Sequence, residues 1–137
     1  MGRCDPGLKL ARELQVDRPH LASSLGSGDV DVLGTPALLA LAEGACVDAI
    51  RDDLEPGQTS VGTWAEIDHL EPTPAGGIVC ATATLIGHHG RRLEFNVRIE
   101  QDRELVARVR HRRVLVDRER FLRRIGAEHT GTELPGR

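Results

Sequence analysis

The stretch "GTPALLALAEGACVDAIRDDLEPG", residues 34–57, predicts one long helix and decides the fold. Thr35 is suited to cap its start, Pro36 fits the first helical position, and Glu55-Pro56-Gly57 ends the run. Most residues between these ends are apolar, so the helix lacks a broad polar face. A helix of this kind is best buried by a sheet that curls around it.

Glu43 is the unusual residue of this helix. At 100° per residue, a set of apolar side chains falls within about 60° of it. These neighbours are Leu39, Ala40, Cys46, Val47 and Ile50. We therefore expect a buried carboxylate in the middle of the apolar stripe, where an unpaired charge is costly. Two interpretations of Glu43 stay open. It is a structural carboxylate that bonds to a backbone group or to an arginine, or it is a general base or nucleophile whose pKa is tuned by dry surroundings.

Alternating apolar and polar residues predict five strands, one before the helix and four after it. Their ranges are 8–21, 59–70, 78–87, 91–100 and 104–116. The segments "HHG" and "QDR" between the last three strands are typical of hairpin turns. We expect a loop at 26–34 and a short helix at 117–125.

This order predicts an α+β chain in which a curved antiparallel sheet of about five strands wraps a long central helix. That is the layout of a hotdog fold. At 137 residues the chain suits one domain, 1–137, with its core at about 8–125 and a loose tail at 126–137. Hotdog domains usually pair into dimers with a continuous sheet, and we expect a homodimer here.

The charge, cysteine content and aromatic content of the chain limit its expected compartment and partners. The net charge is −3, but residues 1–68 hold 5 basic and 12 acidic side chains and residues 69–137 hold 13 and 9, so the second half suits phosphate binding. Three cysteines without close spacing favour neither a zinc site nor disulfides, which indicates a reducing cytoplasm. We see no leader and no apolar run near 18 residues, hence no membrane partner. Aromatic residues make up 2%, which argues against nucleic acid.

His69 and Thr35 are the next candidates for chemistry. His69 is expected to face the helix, because it continues the inward alternation of Val61, Thr63, Ala65 and Ile67. A lone histidine there is more often a satisfied core residue, but a histidine that meets a buried glutamate is typical of hydrolytic sites. Thr35 is either an ordinary cap or a hydroxyl that holds a carbonyl oxygen beside free N–H groups, and the two roles can coexist.

The last predicted strand carries a weaker histidine candidate and a run of arginines. His111 is expected to face inward, after Leu105, Ala107 and Val109. Arg108, Arg110 and Arg112 alternate to the outer face, with Arg113 adjacent. Such a run is most often a solvated face, and the alternative is a landing site for the phosphates of coenzyme A. The histidines lack the spacing of metal ligands, so no metal is expected.

The run "GTPALLALAEGACVDAI…LEPGQTSVGTWAEIDHLEPTPAG…GRRLEFNV" resembles the fluoroacetyl-CoA thioesterase family of hotdog thioesterases, over about residues 30–125. In that family a threonine at the helix start, a glutamate eight residues on and a histidine on the next strand form the catalytic set. Thr35, Glu43 and His69 occupy these positions. Gly62 matches the family glycine of the same strand, and His111 matches the histidine of a "GTH" motif whose glycine is absent here.

The resemblance implies hydrolysis of an acyl-CoA thioester to a carboxylic acid and free coenzyme A. The site would lie at the interface of a homodimer, alone or in a dimer of dimers, and would need no cofactor, since coenzyme A is part of the substrate. Glu43 would be the nucleophile or the activator of water, His69 its acid-base partner, and Thr35 an orienting group.

The segment "GSGDVDVLG" has no aromatic residue, whereas the fluoroacetate-specific enzyme has a longer lid with phenylalanine, so a broader or different choice of short acyl group is favoured. Two alternatives stay open. One is a non-catalytic acyl-CoA binding or sensing protein. The other is a hotdog dehydratase or hydratase, a class that generally places its histidine and acid differently.

Overall fold

A five-stranded antiparallel sheet holds the long helix against one of its faces in the computed structural model, which describes residues 4–126. The strands are β1 (Lys9–Gln15), β2 (Gln58–His69), β3 (Ile78–His89), β4 (Arg92–Gln101) and β5 (Glu104–Asp117). The helices are α1 (Ala22–Leu25), α2 (Thr35–Ile50) and α3 (Arg118–Arg124), with 3₁₀ turns at Arg18–His20 and Arg51–Asp53. The strand order is β1-β3-β4-β5-β2, which leaves β1 and β2 at the edges. The predicted α+β hotdog layout is confirmed.

The buried apolar residues form one core cluster between α2 and strands β3, β4 and β5. The extent of the domain beyond this core stays a prediction, and the tail expected at 126–137 lies, apart from Gly126, outside the described residues. The first strand is shorter than predicted. It ends at Gln15, and Asp17 then caps a 3₁₀ turn that leads into α1, two elements that the sequence pattern did not predict.

The face of α2 that packs on the sheet differs from the predicted one. The fully buried positions of the helix are Leu38, Leu41, Ala42, Ala45, Cys46 and Ile50. Ala40 is exposed, and the side chain of Glu43 is 41% exposed. The prediction of a buried Glu43 is therefore wrong for the single chain. A helix that is apolar nearly all round has no pattern that selects its buried side.

A β-bulge in β2 sets which of its residues face the helix. Gly62 pairs with Arg113 and Trp64 pairs with Arg112, so Thr63 is an extra residue in the strand. One inserted residue reverses the alternation of inner and outer side chains. The inner face therefore runs Ser60 and Gly62 before the bulge, then Ala65, Ile67 and His69 after it. The inward prediction is confirmed for the last three residues and wrong for Val61 and Thr63.

Candidate functional site

Two groups of polar side chains lie where α2 faces β2, and the first joins Thr35 to His69. Thr35 is the first residue of α2, whose N-cap is Gly34, and no side chain caps the helix start. The predicted capping role of Thr35 is therefore wrong. Its Oγ1 lies 2.8 Å from His69 Nδ1, so the hydroxyl instead makes a hydrogen bond with the imidazole.

The second nitrogen of His69 is enclosed by the protein. His69 Nε2 is buried and makes no hydrogen bond within residues 4–126. Burial lowers the pKa of His69, and the nearby backbone of Glu71 opposes this only in part. The imidazole is thus neutral near pH 7 and is held at one nitrogen by Thr35.

The second group surrounds the carboxylate of Glu43. Its Oε2 atom lies 3.7 Å from His111 Nε2 and 3.9 Å from Arg113 Nη1. Both partners are nearly inaccessible, with His111 2% and Arg113 8% exposed. The carboxylate therefore opens toward solvent on one side and has a buried cation behind it.

His111 is fixed in one protonation state by its neighbours. Its Nδ1 lies 2.8 Å from the Trp64 carbonyl oxygen, and its Nε2 lies 3.1 Å from Arg113 Nη1. A carbonyl only accepts and a guanidinium only donates, so Nδ1 carries the proton and Nε2 accepts. Burial and the Arg113 charge lower the pKa of His111, against the Trp64 carbonyl and Glu43. His111 is thus a neutral acceptor for Arg113 rather than an acid for Glu43.

Gly62 is the position that lets these groups meet. A Cβ atom there would lie 3.0 Å from Glu43 Oε2, 3.1 Å from His111 Cε1 and 3.2 Å from Arg113 Nη1. Contacts this tight mean that the neighbours of an added side chain would have to give by a few tenths of an ångström. Close approach therefore favours glycine here, since its φ is not in the left-handed region.

Arg113 is the site residue that the sequence reasoning missed. It was set beside the outward run of arginines, although it shares the inward alternation of Val109 and His111 on β5. An arginine at an inward position of a strand needs partners for its charge. That alternation was the signal that could have found it.

Cys46 lies close to the second group without taking part in its chemistry. Burial raises the pKa of its thiol to about 12, with Arg113 lowering it and Glu43 raising it. A thiol of this kind stays protonated and is a poor nucleophile.

Glu43 and His69 do not meet within one chain. Within the described part of the chain, no hydrogen bond or ion pair joins Glu43 to Thr35 or His69. Glu43 follows Thr35 by eight residues, which on a helix is a rise of about 12 Å. One chain therefore holds two half-sites: the Thr35–His69 pair, and the Glu43 cluster of Glu43, Gly62, His111 and Arg113.

The outward arginines of β5 lie on the opposite face of the sheet from α2. Arg112 Nε donates to Glu94 Oε2 at 3.1 Å, and its guanidinium lies 4.3 Å from the centre of the Trp64 ring. Arg110 Nη1 is 3.8 Å from Glu66 Oε1. A groove of about 620 Å³ crosses this face, and its charged lining is Lys9, Glu66, Asp68, Arg98, Arg108 and Arg110.

Over residues 4–126, no group of three or more His, Cys, Asp or Glu side chains is arranged to hold a metal ion. None of the helices in that range is long and apolar enough to cross a membrane.

The comparisons with known proteins identify the family. The family model described as fluoroacetyl-CoA-specific thioesterase matches residues 16–119. The fluoroacetyl-CoA thioesterase of Streptantibioticus cattleyicolor is 33% identical over 116 residues, which cover 85% of this chain and 80% of that protein. This chain belongs to the fluoroacetyl-CoA-specific thioesterase family. It is an enzyme of the thioesterase class, a hydrolase acting on thioesters, as the sequence predicted.

Solved structures agree with this membership. A crystal structure of the fluoroacetyl-CoA thioesterase FlK superposes with a TM-score of 0.83 at 27% identity, over 94% of this thioesterase chain and 98% of FlK. A hot-dog-like protein from Thermanaerovibrio acidaminovorans superposes with a TM-score of 0.82 at 22% identity, covering 93% and 94% of the two chains. At that identity the second likeness concerns the fold alone.

Proposed function

We propose that this thioesterase hydrolyses a short acyl-CoA thioester to a carboxylate and free coenzyme A, using Glu43, His69 and Thr35. The observation that carries the proposal is the Glu43 carboxylate, open to solvent on one side and 3.9 Å from the buried guanidinium of Arg113. Such a carboxylate is accessible to substrate while its charge is held in place.

The Glu43 carboxylate starts the reaction by one of two routes. In the first it takes a proton from water, whose oxygen attacks the thioester carbonyl. In the second it attacks the carbonyl itself, and water then hydrolyses the resulting anhydride. In both routes the C–S bond breaks, a C–O bond forms, and the thiolate of coenzyme A leaves with a proton.

The Thr35–His69 pair handles that proton. The 2.8 Å hydrogen bond to Thr35 fixes the imidazole, and Nε2, which bonds to no other described residue, can give the thiolate its proton or take one from water. In the tautomer that carries the proton on Nε2, Nδ1 accepts from the Thr35 hydroxyl. The neutral state that burial favours suits either role near pH 7.

A complete site requires both half-sites, and we propose that a second copy of the chain brings them together. Glu43 of one copy would face the Thr35–His69 pair of the other. Support comes from the edge strand β2, whose residues 62–66 are exposed along one unpaired side. An edge of this kind is a template for pairing with another strand. A homodimer with β2 against β2 would place the site at the interface, and a dimer of dimers is compatible with it.

We propose that Arg108 and Arg110 bind the phosphates of coenzyme A, and that Arg112 contributes least to this binding. Arg108 and Arg110 line the outer groove together with Lys9 and Arg98. Arg112 is already bonded to Glu94 and stacked on Trp64. Coenzyme A lacking its 3′-phosphate tests this role: Arg108→Ala should raise KM for the complete thioester and not for the dephospho form.

A range of short acyl groups is proposed rather than fluoroacetyl alone. Residues 22–34, which comprise α1 and the loop before α2, include the exposed apolar residues Leu25 and Val30 but no aromatic side chain that could cover a small acyl group. A pocket without that cover excludes larger acyl groups less strongly.

A thiol-release assay over acyl-CoA thioesters of increasing length tests the proposal. We expect turnover of short chains by the wild type, and a large loss for Glu43→Gln and His69→Ala with unchanged unfolding temperatures. Full activity in both variants would refute the residue assignment. Tight binding of thioesters without turnover at any length would favour the binding or sensing protein instead, and hydration of an enoyl-CoA would favour the hydratase.

A further inference from the structure

Ser60 lies on the inner face of β2, two residues before Gly62, because of the bulge at Thr63. It contacts the buried guanidinium of Arg113 twice. Arg113 Nε donates to Ser60 Oγ at 2.8 Å, and Arg113 Nη2 donates to the Ser60 carbonyl oxygen at 3.1 Å. One residue thus holds one whole edge of the guanidinium plane.

The opposite part of the same guanidinium faces the Glu43 cluster. Arg113 Nη1 donates to His111 Nε2 at 3.1 Å and lies 3.9 Å from Glu43 Oε2. A guanidinium is planar and rigid, so fixing Nε and Nη2 also fixes where Nη1 points. The direction of the charge behind Glu43 is therefore set from the Ser60 side.

Nothing else within the described residues bonds to Arg113 Nε. Ser60 is well placed to hold this group, because it lies in a strand and pairs with Leu115, a buried residue of the core. The contact joins two neighbouring strands across 53 residues of chain. It is a preorganised support for a charged group, which is the arrangement that keeps electrostatic sites effective.

We propose that Ser60 is a positioning residue for catalysis: its hydroxyl orients Arg113 so that Nη1 stays beside the Glu43 carboxylate. The inference rests on the proposed function of Glu43. Ser60 does not touch the reacting atoms, and acts only through Arg113.

The test compares Ser60→Ala with Ser60→Thr and with the matched control Thr59→Ala, which removes a hydroxyl from the adjacent position on the other face of β2. Ser60→Ala should lower kcat about tenfold, the effect of losing one hydrogen bond to a charged group, with a smaller change in KM. Ser60→Thr keeps the hydroxyl and should restore most of the rate. Thr59→Ala should match the wild type.

Two further readouts separate positioning from general damage. In a Glu43→Gln background, Ser60→Ala should cause no further fall in kcat, because the carboxylate it serves is gone. Independently of activity, the Arg113 Nε–H resonance should exchange slowly with water in the wild type and fast in Ser60→Ala.

Equal losses from Ser60→Ala with and without Glu43, or a Nε–H that stays protected in Ser60→Ala, would overturn the inference. A wild type that shows the protected resonance but hydrolyses no thioester would instead overturn the proposed function.

Discussion

The two ends of β2 carry different kinds of chemistry. Near Gly62, the Glu43 carboxylate faces a buried arginine whose charge is permanent and whose position is fixed by Ser60 and His111. Near His69, a neutral imidazole is held by one hydroxyl, and its buried Nε2 makes no hydrogen bond to the part of the chain that the structure describes. In the proposed mechanism the first end would hold a charge and the second would move a proton. The two groups lie apart within a single chain.

The largest effect on activity is expected at the Gly62 end of β2, called the charged end below, where the Glu43 carboxylate lies. Glu43→Gln keeps the size of the side chain but removes its charge and its basicity, so kcat/KM should fall by about 10²- to 10⁴-fold. Thiol release at saturating and limiting thioester measures it. Because the side chain is 41% exposed, the unfolding temperature should stay close to that of the wild type. A loss of less than about tenfold would remove Glu43 from the chemistry.

Gly62→Ala tests whether the charged end depends on close approach. The added Cβ would lie 3.0 Å from Glu43 Oε2 and 3.1 Å from buried His111. Glu43 can swing toward solvent but His111 cannot move, so the variant should lose about 1–3 kcal/mol of stability and much of its kcat. Urea unfolding and thiol release measure the two effects. Gly28→Ala is the control, since a Cβ there meets only Ala22 Cβ at 3.5 Å, an ordinary contact, and the φ of Gly28 is not positive.

Lowering the pH should reduce the stability of the folded chain through His69 and His111. Burial lowers the pKa of His69 and of His111 from the ordinary value of 6.5, so the unfolded chain binds these protons more readily than the folded one. This contribution to stability is fully present above about pH 6.5 and is lost as pH falls below it. Urea midpoints measured from pH 8 to pH 5 should show the loss, and it should shrink in His69→Gln. An unchanged pH dependence in that variant would contradict the lowered pKa of His69.

The smallest effect is expected at Cys46, the thiol nearest the charged end. Its pKa of about 12 keeps it protonated, so Cys46→Ala should change kcat by no more than about twofold, and iodoacetamide should not inactivate the folded enzyme near pH 7. Half-buried Cys80 on β3 serves as the comparison in Cys80→Ala. Rapid inactivation that is lost in Cys46→Ala would show a reactive thiol and contradict the burial argument.

The sequence predicted the architecture well and the faces less well. The helix, all five strands and both hairpins follow from apolar periodicity and turn residues, which are local signals. The buried side of α2 could not be predicted, because leucine and alanine residues occur on all faces of the helix. Only packing selects the side that contains Ala42 and Ala45. Glu43 was therefore placed in the core, although it lies at the border of the buried face.

A single bulge explains most of the remaining errors. Strict alternation along β2 puts Val61 and Thr63 inside, whereas the extra residue at Thr63 puts Ser60 and Gly62 there. The partners of a bulge lie on another strand, so the local sequence does not reveal it. Arg113 was not predicted as a site residue for a related reason. It lies beside arginines that alternate to the outer face of β5, whereas its own position faces inward.

The proposal that most needs testing is a site shared by two copies, with Glu43 from one chain and the Thr35–His69 pair from the other. Glu43→Gln and His69→Ala chains can be unfolded, mixed in equal amounts and refolded together. If the site is shared, each mixed dimer has one site with both groups intact, and the mixture should recover about a quarter of wild-type activity. If Glu43 and His69 act within one chain, every site keeps one defect. A mixture as inactive as the separate variants would contradict the shared site.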